Sequence, residues 1–138
     1  MTYYNTQVAK ISKDIYPKDY LTKQVIRAKH FIDNHFADNL NLDRIAGEAF
    51  LSKFHFIRLF KSYYGRTPYQ YLTTVRIENA KKLLRSHSTI SEICFAVGFD
   101  SVTWFTGLFK KMTGFTPAAF KKRNDKKQFP RIIIAPQS

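Results

Sequence analysis

Residues 59–71 read LFKSYYGRTPYQY, and residues 108–120 read LFKKMTGFTPAAF. When the two stretches are aligned at a constant offset of 49 positions, six of their thirteen residues are identical, namely Leu, Phe, Lys, Gly, Thr and Pro. The chain contains only 5 Gly and 5 Pro, and four of these residues fall in register here. Chance is a poor explanation for such a match, so the sequence predicts a duplicated structural unit.

The residues that lead into the first copy predict two helices joined by a short turn. Asn41 suits the N-cap of a short helix over 42–49, and Ser52 suits the N-cap of a longer helix over 53–64. Gly65 stands where a helix ends in a left-handed residue, and a Thr–Pro pair then restarts the chain. A short helix, a turn and a longer helix form a helix-turn-helix, whose second helix can enter the major groove of DNA.

The second copy repeats this order. Residues 89–92, Thr-Ile-Ser-Glu, match a capping box that opens a short helix ending at Val97. Ser101 suits the N-cap of the longer helix over 102–113, which ends at Gly114. The alternative interpretation of both copies is an ordinary helical hairpin packed in a bundle.

Helices outside the two copies complete the fold prediction. Apolar residues at helical spacing predict a helix over 22–36, and a short helix over 117–122 follows the second Thr–Pro pair. Residues 68–86 have no Gly, and no Pro after the first position, so they predict a bridging helix of about 18 residues and about 27 Å. We therefore predict an all-α fold of seven helices, with two helix-turn-helix subdomains joined by this long bridging helix.

Length and hydrophobic content set the expected organisation. A chain of 138 residues with 44% hydrophobic residues is long enough for one ordinary domain, or for two very small ones that share a core. The predicted parts are an N-terminal extension over 1–21, a first helix-turn-helix subdomain over 22–66, the bridging helix over 67–87, a second subdomain over 88–123, and a basic, then apolar tail over 124–138.

Charge is distributed unevenly along the chain. The formal net charge is +13, from 23 Lys+Arg and 10 Asp+Glu. Residues 1–51 carry a net charge of +1, whereas residues 52–138 carry +12. Such an imbalance points to a polyanionic partner, either nucleic acid or an acidic membrane surface, and the alternative is a merely soluble basic surface.

Other features of the composition indicate a cytoplasmic protein. The single cysteine, Cys94, excludes an internal disulfide and fits a reducing compartment. The longest apolar run is far shorter than the roughly 20 residues that a membrane span needs. The N-terminus lacks an apolar stretch of signal-peptide length. We expect a soluble protein of the cytoplasm that does not bind a membrane.

Helical spacing divides each longer helix into a core face and an outward face. The core faces follow the i, i+3, i+4, i+7 pattern, which is typical of residues buried on one side of a helix. They comprise Phe56, Leu59, Phe60 and Tyr63 in the first helix, and Phe105, Leu108, Phe109 and Met112 in the second.

The outward faces contain candidates for reading DNA bases. An arginine there can make a bidentate contact to guanine, worth about 1–3 kcal/mol of discrimination, and apolar side chains can pack on thymine methyl groups. Threonine offers both a hydroxyl and a methyl group. The predicted base-reading residues are Phe54, Ile57, Arg58, Thr103 and Thr106.

Basic residues around these faces suit the phosphate backbone, since phosphate contacts position a protein without specifying sequence. For each lysine taken singly, a solvated face is an equally good interpretation. The predicted backbone-contacting residues are Lys53, His55, Lys61, Arg66, Lys110 and Lys111.

The whole pattern resembles the AraC/XylS family of bacterial transcription regulators over about residues 22–123. The most specific matches lie in the second unit, at Ile93, Ala96, Val97-Gly98-Phe99, Phe105, Phe109-Lys110 and Gly114-x-Thr116-Pro117. The resemblance implies a DNA-binding domain of two helix-turn-helix subdomains whose recognition helices enter successive major grooves. It also implies a regulator, more often an activator, with double-stranded DNA and RNA polymerase as partners in the bacterial nucleoid.

The geometry of the bridging helix agrees with that expectation. Its predicted length of about 27 Å is commensurate with the 34–36 Å, or about one turn, between equivalent major-groove positions. Because the two recognition helices differ in sequence, a monomer is expected to read an asymmetric site.

Two departures from the family pattern stand out. Gly107 occupies the position that Arg58 holds in the first unit, so we expect the first unit to supply most of the sequence discrimination and the second mostly affinity. Phe50 replaces the turn glycine that Gly98 supplies in the second unit, which makes the first turn the weaker match.

The remaining chemistry-bearing residues suggest neither catalysis nor metal binding. The four histidines lie at no metal-ligand spacing, and the chain has no Gly-rich phosphate loop and no acidic pair with a plausible base. We predict a protein that is not an enzyme, has no cofactor and has no evident small-molecule effector site. Cys94 and, in part, Trp104 are predicted to pack in the core.

Three alternatives to a short, self-contained regulator stay open. One is the DNA-binding C-terminal fragment of a larger effector-sensing regulator, since about 20 residues before the first unit are too few for a sensing domain. Another is a non-specific basic DNA-packaging protein, and the third is a helical protein–protein module. Competition against random DNA separates a regulator from a packaging protein.

Overall fold

The structure is a computed structural model, and it describes residues 18–124. Within that range the chain forms seven helices and no strand, so the predicted all-α fold is confirmed. Residues 1–17 of the predicted extension over 1–21, and residues 125–138 of the predicted tail over 124–138, lie outside the described residues. The helices are α1 (Lys18–His35), α2 (Leu42–Glu48), α3 (Lys53–Tyr64), α4 (Pro68–Leu83), α5 (Ile90–Ala96), α6 (Val102–Thr113) and α7 (117–124).

The chain divides into two compact units, and the boundary between Val75 and Arg76 falls inside α4. The first unit contains α1, α2, α3 and the first half of α4. Its core is built from one apolar face of each helix, because amphipathic helices gain stability by burying that face. The buried residues are Val25, Ala28, Ile32, Ile45, Ala46, Ala49, Phe56, Phe60 and Leu72.

The second unit contains the rest of α4 together with α5, α6 and α7. Aromatic rings follow one another through its interior, with Phe99 and Phe105 centroids 5.3 Å apart and Phe109 and Phe120 centroids 5.4 Å apart. The guanidinium of Arg76 lies 5.5 Å from the centroid of the Phe99 ring. Cys94 is fully buried, as predicted.

The predicted helix caps are confirmed in both units. The side chain of Ser52 accepts a hydrogen bond from the His55 N–H at 3.3 Å, and that of Ser101 accepts one from the Trp104 N–H at 3.1 Å. Thr89 forms the predicted reciprocal capping box. These bonds satisfy N–H groups that the first turn of a helix otherwise leaves without a partner.

The helix ends also agree between the units. Gly65 ends α3 at φ 73°, and Gly114 ends α6 at φ 87°. Both values lie in the left-handed region, which glycine enters without the penalty that a Cβ atom brings. The shared glycine of the duplicated stretch therefore marks the same event in both copies.

The turn of the first unit corrects one expectation from sequence. Phe50 takes a positive φ of 55°, and the matching Gly98 takes 102°. In each turn the N–H of that residue donates to the carbonyl three residues earlier, and the next N–H donates to the carbonyl five residues earlier. The first turn therefore has the hydrogen bonds of the second despite lacking glycine, at a cost of about 1–2 kcal/mol for a left-handed residue with a Cβ atom.

The bridging helix is shorter than predicted. It ends at Leu83 rather than at residue 86, so its 16 residues span about 24 Å. Its last turn tightens, because the N–H groups of Arg85 and Ser86 donate to carbonyls three residues earlier. The Ser86 hydroxyl also donates to the Leu83 carbonyl at 2.6 Å, which favours a turn over a further helical residue.

The two core faces are also shorter than the spacing predicted. Phe56, Phe60, Phe105 and Phe109 are fully buried, but Tyr63 is 37% exposed and Met112 is 43% exposed. Both exposed residues lie in the last turn of their helix, beyond the buried pair. The Tyr63 hydroxyl instead shares a hydrogen bond with the Thr22 hydroxyl at 2.8 Å.

Candidate nucleic-acid interface

The outward face of α3 is centred on Arg58. At about 100° per residue, position 58 points in the direction opposite to the mean of Phe56 and Phe60. Arg58 is exposed, Phe54 one turn earlier is 58% exposed, and Ile57 is half-buried at the edge of this face. The three predicted base-reading residues of the first unit therefore share one side of one helix.

His55 does not fit the phosphate contact predicted for it. Only 9% of the residue is exposed, and burial, followed by the positive charge of Arg58, lowers the pKa of the imidazole below its ordinary value. A neutral and buried imidazole offers little to a phosphate group, since charge and access both favour the contact. Helical spacing alone placed His55 beside an exposed face, and its burial gives no support to the predicted phosphate contact.

The cationic side chains of the first unit differ in what surrounds them. Lys53 lies 3.4 Å from the Asp43 carboxylate, so part of its charge is already paired. Arg66 donates from Nη1 to the Thr74 hydroxyl at 2.9 Å, which draws it back along α4. Lys61 is exposed on the outward side of α3.

The outward face of α6 uses the same helix positions as that of α3, but different residues occupy them. Gly107 occupies the central position that Arg58 holds in α3, and a Cβ atom built there meets nothing within 4 Å. Thr103 is exposed on one flank and Thr106 is half-buried beside it. Lys110 and Lys111 are both exposed in the last turn of the helix.

Trp104 corrects a second prediction. Partial core packing was predicted for Trp104, but more than half of the residue, 56%, is exposed. It borders an open groove of about 530 Å³ on the outward side of α6. The matching residue in α3 is the buried His55, so comparison of the two copies gave no signal for this exposure. The residues lining this Trp104 groove are Ser101, Thr103, Trp104, Gly107, Leu108 and Lys111.

Two further properties concern only the described residues. Among residues 18–124, no group of three or more His, Cys, Asp or Glu side chains is placed to hold a metal ion. None of the described helices combines the length and the apolar character needed to cross a membrane.

The chain is similar to known bacterial regulators. It is 37% identical over 94 residues to the MmsAB operon regulatory protein of Pseudomonas aeruginosa, a match that covers 67% of this chain and 31% of that protein. The C-terminal domain of AraT, a response regulator from Geobacillus stearothermophilus, is 31% identical with a TM-score of 0.72, covering 75% of this chain and 87% of that one. The DNA-binding domain of AdpA, a global transcriptional factor solved in complex with a target DNA, is 27% identical with the same TM-score of 0.72, covering 75% and 94%.

The helix-turn-helix domain family matches residues 45–123, which is more than half of the chain. The chain belongs to the AraC/XylS family. It is therefore a DNA-binding protein of a family of transcription regulators. As an AraC-type chain it spans about a third of the length of the MmsAB operon regulatory protein.

The family match over residues 45–123 covers α2 from Ile45 onward and α3, α5 and α6 in full, and thus both outward faces. In a helix-turn-helix the second helix is the one that reads the major groove, so α3 and α6 are the candidate recognition helices. The outward faces described above, centred on Arg58 and Gly107, are therefore the candidate DNA-reading surfaces of this family member.

Proposed function

We propose that the chain is a sequence-specific transcription regulator whose α3 and α6 enter two successive major grooves of one asymmetric DNA site. The observation that carries this proposal is that α3 and α6 expose equivalent faces, the first centred on Arg58 and the second on Gly107. An α-helix fits the major groove, where each base pair presents a distinct pattern of donors, acceptors and methyl groups. Because the two faces present different side chains, the two halves of the DNA site are expected to differ in sequence.

In this proposal α3 carries most of the discrimination. The exposed Arg58 supplies a bidentate contact to guanine, and Phe54 and Ile57 pack on thymine methyl groups. On α6 the small Thr103 and Thr106 make weaker base contacts. The second unit then adds mainly affinity, because Gly107 contributes no side chain to the groove.

Phosphate contacts fix the position of both helices. We assign them to Lys53, Lys61, Arg66, Lys110 and Lys111, and we leave His55 out because it is buried. Neutralising phosphates releases counterions, so binding is expected to weaken steeply as salt rises. Arg66 and Lys53 must exchange their present protein partners for phosphate oxygens, which makes Lys61, Lys110 and Lys111 the stronger contributors.

The decisive experiment is in vitro selection of bound sequences from a random duplex library, followed by competition at fixed salt. We expect one asymmetric motif that outcompetes random DNA by about a thousandfold or more. A DNA-packaging protein would show the same salt dependence without a preferred motif. Failure to bind any duplex at low salt would instead favour a protein–protein module.

We also propose that the chain acts by binding rather than by catalysis, as an activator that contacts RNA polymerase in the bacterial nucleoid. The similarity to transcription regulators supports this role. Transcription in vitro from a promoter carrying the selected site tests it, since an activator raises the transcript yield and a repressor lowers it. The partial coverage of the relatives supports the further proposal that this domain serves as the DNA-binding part of a longer, effector-responsive regulator.

A further inference from the structure

The Trp104 groove is an apolar surface that runs from the centre of the outward face of α6, at Gly107, to its flank, on a helix that the proposed function places in DNA. The indole is 56% exposed, on the flank of the outward face rather than on its core side. Leu108 follows it by four residues and so lies on the same side of α6. Trp104 is the only tryptophan in the sequence.

Gly107 gives the groove its depth. A Cβ atom at this position would meet no atom within 4 Å, so the space in front of the helix is open. Because Gly107 has no side chain, nothing at this position covers the neighbouring indole of Trp104. A glycine inside a helix costs about 1 kcal/mol relative to alanine, so the open space comes at the expense of stability.

The residues that line the Trp104 groove indicate which chemical group can bind in it. An indole face and a leucine favour a small apolar group, while the exposed Lys111 at the rim and the exposed Lys110 nearby favour a polyanion around that group. In DNA, the only apolar group on a base edge in the major groove is the C5-methyl of thymine. A phosphate oxygen, which the indole N–H can also contact, would not use the apolar part of the groove.

We propose that Trp104 is a specificity-determining residue, which recognises the methyl group of one thymine through the groove that Gly107 leaves open. This inference rests on the proposed function, because it needs α6 to lie in a major groove. It adds a weak base preference to a unit that otherwise supplies mainly affinity.

The test removes the methyl group and the indole separately and together. Each thymine of the selected site is replaced in turn by deoxyuridine, and affinity is measured for the natural chain and for Trp104→Ala. One thymine in the half-site of α6 is expected to lose about fourfold in affinity on losing its methyl group, the value of burying one such group. The same replacement should leave the affinity of Trp104→Ala unchanged.

Phe54→Ala is the matched control, since it removes an aromatic side chain from the other recognition helix. It should leave the deoxyuridine effect in the half-site of α6 intact. Equal deoxyuridine effects in the natural chain and Trp104→Ala would overturn the inference, because the methyl group would then be recognised by another residue or by none. The selected site would still support the proposed function. If no site is selected, the proposed function and this inference fail together.

Gly107→Leu provides a second, independent variant. The open space around Gly107 should accept the side chain in the free protein, so circular dichroism and thermal unfolding are expected to show an intact fold. The leucine fills the groove, and the fourfold preference for thymine over deoxyuridine should disappear. Retention of that preference would contradict the proposed role of the groove.

Fluorescence reports on the same residue directly. Because Trp104 is the only tryptophan, its quenching by acrylamide measures access to this groove alone. Binding of the selected duplex should protect the indole, and protection should be weaker when the critical thymine is replaced by deoxyuridine. An indole that stays fully accessible in the complex would overturn the proposal.

Discussion

The two recognition helices differ where they face outward and agree where they face inward. Phe56 and Phe60 of α3 match Phe105 and Phe109 of α6, and all four are fully buried. The centre of the outward face is Arg58 in one helix and open space at Gly107 in the other. The duplicated sequence thus specifies how each helix is held, while what each helix presents to DNA is left to positions that diverged.

The flank of each helix shows the same contrast. His55 of α3 is buried, whereas the matching Trp104 of α6 is more than half exposed. Burial keeps the pKa of the imidazole below its ordinary value, so His55 belongs to the packing of the first unit. An equivalent sequence position therefore does not imply an equivalent role.

The largest effect on stability is expected from truncating matched core residues of the two units. Phe60→Ala and Phe109→Ala should each lower the free energy of unfolding by about 3–5 kcal/mol, since each removes a fully buried ring and leaves a cavity. Denaturant unfolding followed by circular dichroism measures both, and Trp104 fluorescence adds a reading from the second unit. A large loss in one unit with little loss in the other would show that the two cores are not equivalent.

The next largest effect concerns DNA affinity. Arg58→Ala should weaken binding to the selected site by about 1–3 kcal/mol, which is about 5- to 150-fold, because a bidentate guanine contact is lost. Fluorescence anisotropy with a labelled duplex measures this loss. Lys61→Ala is the control, and it should weaken all sequences alike and reduce the salt slope by about one. The same uniform loss in Arg58→Ala would place that arginine on the backbone.

The two turns allow a smaller, paired test. Gly98→Ala should destabilise the chain by about 1–2 kcal/mol, because its φ of 102° is unfavourable for a residue with a Cβ atom. Phe50→Ala keeps a side chain at a position that already tolerates one, so it should lose only the contact of the Arg27 guanidinium with the ring, about 0.5–1 kcal/mol. Thermal unfolding compares the two variants, and a larger loss at Phe50 would contradict this account.

The smallest predicted effect is a gain. Gly107→Ala should stabilise the chain by about 1 kcal/mol, because alanine loses less backbone entropy in a helix and meets no obstructing atom. Arg58→Gly at the matched position should cost about the same amount. Urea unfolding measures both changes, and a destabilised Gly107→Ala would mean that the open space is needed by the free protein.

Local features of this chain were predictable from sequence. Helix caps and helix ends depend on a few adjacent residues, so the local sequence was sufficient to predict them. This holds for the caps at Ser52, Ser101 and Thr89 and for the helix ends at Gly65 and Gly114. The fold class followed from the same signals.

Features that depend on packing were not predictable in the same way. The exposure of Trp104 and Tyr63 and the burial of His55 depend on which distant residues cover each position. The positive φ of Phe50 likewise needs the whole turn, since the residue itself does not favour it. The outward placement of Arg58 and Phe54 could be inferred from helical spacing, but their base contacts stay predictions.

Site selection repeated with Arg58→Ala and Thr103→Ala tests the central claim most directly. We predict that Arg58→Ala loses a strong base preference in one half of the motif and keeps the other half, while Thr103→Ala changes only the other half, and only slightly. Equal relaxation of both halves by either variant would contradict the division of roles between α3 and α6.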